Sequence, residues 1–128
     1  MVSRHASEQC FYVREMGVRT MTAFLLDTHR DNDVLVVVVS GEIDMAIAPT
    51  LMAAASYRLA QLDVASLRLD MSQVSFLDSS GLGVLVSLHE DATARGKSMI
   101  VWKVQPGPRR TIELARLQSL LVIEPAES

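Results

Sequence analysis

The fold of this chain is decided by one stretch, Phe76-Leu77-Asp78-Ser79-Ser80-Gly81-Leu82-Gly83-Val84-Leu85. Apolar residues alternate before it, at Leu67, Leu69 and Met71, and they continue at helical spacing after it. This pattern predicts a strand, a tight turn and the start of a helix. The first N–H groups of a helix are unpaired and carry a partial positive charge, so they favour an anion or a side-chain oxygen. We expect the function of the chain to lie at this turn.

Two strands and a helix are predicted on the amino-terminal side of that stretch. The segments Thr22–Thr28 and Val34–Val39 flank the turn-forming residues Arg30–Asp33, which indicates an antiparallel hairpin. Because Val34–Val39 is continuously apolar, we expect this strand to be covered on both faces. A helical stripe of apolar residues runs from Ile47 to Leu62, and Pro49 places the start of this helix nearby.

The remaining elements alternate between strands and helices. They are a strand at Leu67–Met71, a helix at Gly81–Ala94, a strand at Ser98–Val104, a helix from Pro108 through Leu117 and a short strand at Leu120–Ile123. The order β-β-α-β-α-β-α-β predicts an α/β fold: one mixed, mostly parallel sheet with an antiparallel edge hairpin, flanked by helices. Sites in such sheets lie beyond the carboxyl ends of the strands. The turn after Leu77 lies there, and the Gly41–Asp44 turn joins it if its strand runs parallel.

The predicted domain spans residues 21–124. Residues 1–20 mix charges of both signs without a sustained period, so we expect a poorly ordered amino-terminal extension, and residues 125–128 form a tail. A length of 128 residues fits a single domain with a core of its own.

Composition narrows the classes of function. The formal net charge of −3 argues against direct binding of nucleic acid, which needs a basic face. The lone Cys10 forms no internal disulfide, and no Cys and His residues stand at metal-ligand spacing, so we expect neither a metal nor a cofactor. No apolar run approaches the roughly 20 residues of a membrane span, so no membrane partner is expected. These features fit a protein of the reducing cytoplasm.

A hydrolytic function for Ser79 meets two objections. A nucleophile elbow needs glycine two residues before the serine, and neither Ser79 nor Ser80 has one. His89 lies ten residues beyond Ser79, about 15 Å along the same helix, so it cannot act as the base for that hydroxyl. Gly81 and Gly83 resemble only a fragment of a nucleotide-binding loop. We therefore expect no catalytic residues.

A phosphate carried by a serine suits the turn better. Either Asp78 or Ser79 can cap the helix, which leaves another hydroxyl exposed beside its positive end. A phosphate there adds about −1.5 to −2 charge next to Asp78, so a partner surface matched to a neutral hydroxyl is lost. The plain alternative is that Asp-Ser-Ser-Gly is only a capping turn. Glu42 and Asp44 have the same two interpretations, contact with a partner or local turn and cap formation.

Three segments together resemble a known family. They are Val38-Val39-Ser40-Gly41-Glu42-Ile43-Asp44, Leu69-Asp70-Met71-Ser72 and Phe76-Leu77-Asp78-Ser79-Ser80-Gly81-Leu82-Gly83. They look like STAS domains, specifically those of bacterial anti-sigma factor antagonists, over a match from about Met21 to Glu124. The chain departs from the family pattern at Leu117-Gln118-Ser119-Leu120, which lacks a glycine often seen there. This departure concerns the boundary of the last helix and strand.

The resemblance implies a non-enzymatic regulator of sigma-factor-dependent transcription. Its partner would be an anti-sigma factor that is also a serine kinase using ATP. The unphosphorylated chain would bind that kinase and free the sigma factor, phosphorylation of Ser79 would end the binding, and a serine phosphatase would restore it. The implied contact surface comprises Gly41, Glu42, Asp44, Asp78, Ser79, Ser80, Gly81 and Leu82. The alternative is a STAS scaffold in a larger assembly for stress sensing or lipid transport, with the serine unmodified.

Overall fold

A computed structural model describes residues 9–14 and 23–126 of the chain. The strands are β1 (Gln9–Arg14), β2 (Ala23–Asp31), β3 (Val34–Ile43), β4 (Ser66–Leu77), β5 (Ser98–Val104) and β6 (Val122–Pro125). The helices are α1 (Ala48–Gln61), α2 (Ser79–Ala94) and α3 (Pro106–Leu114), followed by a single 3₁₀ turn at Leu117–Ser119. Strands and helices alternate after β3, as the apolar spacing predicts.

The strands form one mixed sheet in the order β1-β2-β3-β4-β5-β6. The pairs β1–β2 and β2–β3 are antiparallel. The pairs β3–β4, β4–β5 and β5–β6 are parallel. The predicted α/β class and the β2–β3 hairpin are confirmed. The carboxyl ends of β3 and β4 consequently meet at the same edge of the sheet, as the prediction for the two turns required.

The amino-terminal extension contributes a strand that the sequence analysis did not predict. In the structure β1 pairs with β2 from Gln9 opposite Thr28 to Arg14 opposite Ala23. The β2–β3 hairpin is therefore flanked by β1 and does not form the edge itself. A six-residue segment carries too little periodicity to predict a strand, and the open backbone of β2 supplies the pairing partner. The remainder of the predicted poorly ordered extension lies outside the described residues.

One buried cluster joins the sheet to all three helices. It includes Leu35, Val37 and Val39 of β3, together with Leu51 of α1, Leu85 of α2 and Ile112 of α3, all of them fully buried. The opposite face of β3 is only partly covered, since Val36 is buried while Val34 and Val38 are half-buried. The expectation that β3 is covered on both faces is therefore wrong for the second face, where cross-strand neighbours shield the side chains incompletely.

Strand β4 ends at Leu77, well past the predicted end at Met71. The prediction stopped short because two irregularities in the pairing of β3 with β4 break the alternation of buried and exposed side chains. Val38 pairs with Asp70, whereas Ser40 pairs with Gln73, so β4 carries one extra residue there. A second shift lies between Gly41 and Glu42, and Gly41 has a φ of +106°. Such bulges twist a strand and reset which side chains face inward. A period of two cannot follow the strand across them.

The carboxyl-terminal elements also differ from their predicted bounds. Helix α3 begins at Pro106 and ends at Leu114, whereas the prediction ran from Pro108 through Leu117. Arg116 then takes the left-handed conformation, with a φ of +62°, at a position where helices commonly end on glycine. The last strand is Val122–Pro125 rather than Leu120–Ile123. This is the boundary at which the chain departs from the family pattern.

Candidate functional site

Asp78 caps the helix that follows the deciding stretch. Its backbone is extended, with φ −104° and ψ −168°, and its Oδ1 atom accepts a hydrogen bond of 3.0 Å from the N–H of Gly81. Between the two capping candidates, the structure therefore selects Asp78. Ser79 is the first helical residue and is exposed, while Ser80 is half-buried. The helix begins two residues before the predicted Gly81, because the cap precedes the serine pair.

The turn after β4 is attached to the end of β3. The N–H of Asp78 donates to the carbonyl oxygen of Ile43 over 3.3 Å. Gly81 is buried against the same carbonyl: a Cβ atom at this position would lie 2.8 Å from the Ile43 oxygen and would also collide with Leu77 Cδ1. Only glycine fits such a close approach without displacing the strand end. The predicted meeting of the two turns is confirmed, and Gly81 is what allows their separation to be so small.

The turn after β3 is formed by its own acid. Asp44 Oδ1 accepts hydrogen bonds from the N–H groups of Ala46, at 3.0 Å, and Ile47, at 3.2 Å. Its backbone oxygen accepts from the N–H of Ala48 at 2.8 Å. These bonds support the turn-forming interpretation of Asp44. Glu42 is exposed next to it, so of these two acids Glu42 is the more available to a partner.

The predicted contact residues fall into two groups in the structure. Ser79 and Glu42 are exposed, whereas Gly81 is buried and Leu82 is half-buried against the core. Gly41, with its positive φ, sits at the β3 irregularity described above. Gly41 and Gly81 therefore shape the two turns, while Glu42 and Ser79 are open to solvent and Ser80 is half-buried.

Three exposed residues close in sequence to the two turns were not among the residues named for the predicted contact surface. Met45 lies two residues beyond β3 and Phe76 is the penultimate residue of β4; they are 74% and 47% exposed although both are large and apolar. Gly83 is exposed on α2, and a Cβ atom added to it would have no neighbour within 4 Å. Exposure of an apolar side chain has no sequence signature of its own. The position of Met45 directly after a turn-forming acid was the one available hint.

His89 lies on the same helix as Ser79 and does not reach its hydroxyl. His89 is half-buried on α2, and its Nδ1 atom is buried without a hydrogen-bond partner among the described residues. The helical rise separates it from Ser79 by about 15 Å. In residues 9–14 and 23–126, no three His, Cys, Asp or Glu side chains are grouped as metal ligands. Over the same residues, no helix has the length and apolar character to cross a membrane.

The family of the chain follows from comparison with known proteins. The model of the STAS domain matches residues 26–128. The chain therefore belongs to the STAS domain family. It is 30% identical over 98 residues to the anti-sigma-B factor antagonist of Listeria monocytogenes, an alignment that covers 77% of this chain and 85% of that protein. The resemblance to bacterial anti-sigma factor antagonists is confirmed.

Solved structures agree with this assignment. An anti-sigma factor antagonist from Mycobacterium paratuberculosis is 33% identical, with a TM-score of 0.72 over 80% of this chain and 86% of that one. Unphosphorylated SpoIIAA, also an anti-sigma factor antagonist, is 20% identical, with a TM-score of 0.62 over 89% and 88% of the two chains. The second likeness concerns the fold. The mixed sheet with its helices is thus the fold of known antagonists.

Proposed function

We propose that this chain is an anti-sigma factor antagonist whose binding is switched by phosphorylation of Ser79. The observation that carries the proposal is that Asp78, and not Ser79, caps α2. Asp78 caps the helix through Gly81, so the adjacent Ser79 is exposed and its hydroxyl is not needed for the cap. Because the Ser79 hydroxyl does not cap the helix, it can be phosphorylated without loss of the cap.

The proposed partner is an anti-sigma factor with serine kinase activity. In the unphosphorylated state, the edge formed by the ends of β3 and β4 and the start of α2 binds this partner, which then releases its sigma factor. The partner supplies ATP and the catalytic groups, so the chain itself is a substrate and not an enzyme. We place the exchange in the cytoplasm, where sigma factors act.

Electrostatics supports release on phosphorylation. A phosphate adds about −1.5 to −2 charge beside Asp78, on an edge that already carries Glu42 and Asp44. The positive end of α2 partly compensates this charge within the chain. A partner surface complementary to a neutral hydroxyl has no such compensation, and like-charge or desolvation penalties at an interface reach several kcal/mol. Removal of the phosphate by a serine phosphatase would restore binding.

The proposal is tested with purified chain, Mg²⁺, ATP and each candidate anti-sigma factor of the source genome. Phosphate transfer is followed by intact mass and mapped by fragmentation. We expect one phosphate on the wild-type chain and on Ser80→Ala, and none on Ser79→Ala. Ser79→Ala should keep its affinity for the partner, whereas Ser79→Asp should bind at least about tenfold more weakly, a difference of 1.4 kcal/mol.

Two results would contradict the proposal. Phosphate on Ser79→Ala would show that the modified residue is wrong. Absence of transfer to the wild-type chain by every candidate would instead favour the alternative, a STAS scaffold in a larger assembly with the serine unmodified.

A further inference from the structure

Gly83 is a helical glycine that nothing within the described chain explains. It is the fifth residue of α2, in a helix interior where glycine is less favourable than every residue except proline. Its φ is not positive, since the positive-φ glycines are Gly41 and Gly96. A Cβ atom at Gly83 would meet no heavy atom within 4 Å. Neither backbone conformation nor internal packing therefore requires glycine here.

Gly81, two residues earlier, provides the contrast. A Cβ atom there would collide with Leu77 and lie 2.8 Å from the carbonyl oxygen of Ile43. Gly81 is thus explained by packing inside the domain, whereas Gly83 faces outward. An exposed residue that weakens its own helix without an internal benefit points to a requirement imposed from outside the chain.

The position of Gly83 identifies what that requirement is. Residues four apart share one face of a helix, so Gly83 lies directly behind Ser79. Helical side chains lean toward the amino terminus and cover the preceding turn. Any side chain at position 83 would therefore extend over the Ser79 hydroxyl. Glycine leaves the approach to that hydroxyl open.

We infer that Gly83 is a specificity-determining residue that lets the anti-sigma factor kinase bring its phosphoryl donor to Ser79. This inference rests on the proposed function and deepens it. Transfer of the γ-phosphoryl group forms a bond from the Ser79 oxygen to phosphorus, breaks the bond from phosphorus to the departing ADP, and passes the hydroxyl proton to a base of the kinase. The attacking oxygen must lie about 3–3.5 Å from phosphorus, with the kinase surface closed around it. The kinase must then contact the backbone of α2 at Gly83. A side chain there would hold the two surfaces apart, although the antagonist itself would fold normally.

The test compares Gly83→Ala and Gly83→Leu with the matched substitution Thr93→Leu. Thr93 is also exposed on α2 but lies ten residues further on, about 15 Å along the axis. The probe is each purified candidate anti-sigma factor in turn, with Mg²⁺ and ATP. Since misplacement by about 1 Å can cost a hundredfold in rate, we expect kcat/KM for Ser79 to fall about tenfold in Gly83→Ala and about a hundredfold in Gly83→Leu. Thr93→Leu should match the wild type.

Thermal unfolding separates this effect from misfolding. Gly83→Ala should unfold at the wild-type temperature or above it, because alanine is the better helix former. Equal phosphorylation of the wild type and Gly83→Leu would overturn the role of Gly83 and leave the proposed function intact. An equal loss in Thr93→Leu would also overturn it, because the effect would not depend on distance from Ser79. Absence of phosphate on the wild type would overturn the proposed function and this inference together.

Discussion

The turns after β3 and β4 lie at equivalent positions in the sheet but differ in how they lead into the helices that follow. Ile43 and Leu77 are paired at the ends of parallel strands, and each is followed by an aspartate, Asp44 and Asp78. Asp78 caps α2 directly and is followed at once by the exposed Ser79. Asp44 instead forms a turn through the N–H groups of Ala46 and Ile47, and α1 begins only at Ala48. An aspartate therefore precedes both helices, but only the turn at Asp78 places a serine hydroxyl at the first position of its helix.

The difference teaches that the aspartate alone does not define a switch. In the β3–α1 turn, the residue before the helix is the buried Ile47, and no residue from Asp44 to Pro49 carries a hydroxyl. In the β4–α2 turn, Gly81 packs against Ile43, which draws the helix start close to the neighbouring strand and leaves Ser79 outward. The end of β3 therefore fixes the position of the turn after β4, through the contact of Ile43 with Gly81. Substitutions in the two turns can separate these contributions.

The largest effect is expected from filling the contact between the turns. Gly81→Ala places a Cβ atom 2.8 Å from the Ile43 oxygen, and because that atom is backbone, the strand end must shift. We expect a loss of about 2 kcal/mol in the free energy of unfolding, measured by urea denaturation. Gly83→Ala is the matched control and should stabilise the chain by up to about 1 kcal/mol. Equal effects at the two glycines would contradict the close packing of the turns.

An intermediate effect is expected from removing the cap. Asp78→Ala deletes the acceptor for the Gly81 N–H and should cost about 1 kcal/mol of stability, whereas Asp78→Asn should cost much less because asparagine is an equally good cap. The same denaturation measurement on Asp44→Ala tests the comparison directly. Two hydrogen bonds are lost there, so we expect a similar cost. A neutral result for Asp78→Ala would show that another group caps α2.

The smallest effect is expected at Ser79, the residue that we propose is phosphorylated. Ser79 is exposed and the cap is provided by Asp78, so Ser79→Ala should change the free energy of unfolding by less than about 0.5 kcal/mol. The measurement is again urea denaturation, with Asp78→Ala run in parallel. A cost for Ser79→Ala as large as that for Asp78→Ala would assign the serine a capping duty. Asp78 would then not be the sole cap of α2, and the Ser79 hydroxyl would not be free for modification.

Sequence reasoning reached the class of fold and the strand–turn–helix unit at Asp78 because both depend on local patterns. The alternation at Leu67, Leu69 and Met71 identifies the strand, and the helical spacing after Gly81 places the start of the helix within two residues of its observed position. Prediction failed where a partner strand or a distortion decides the outcome. Strand β1 depends on the backbone of β2, and β4 continues through irregularities that a simple period does not describe. The left-handed Arg116 likewise ends its helix without the glycine that would have signalled it.

By itself, the sequence determined that a strand, an acidic turn with two serines and a helix follow one another, and that strands and helices alternate along the chain. These are consequences of spacing and capping chemistry, which act over a few residues. Only the tertiary structure decided that Asp78 is the cap, that Gly81 must be glycine because Ile43 lies against it, and that Gly83 is free of any such constraint. Two glycines two residues apart look alike in the sequence. The end of β3 packs against Gly81 and no atom packs against Gly83, and only folding brings that strand end into place.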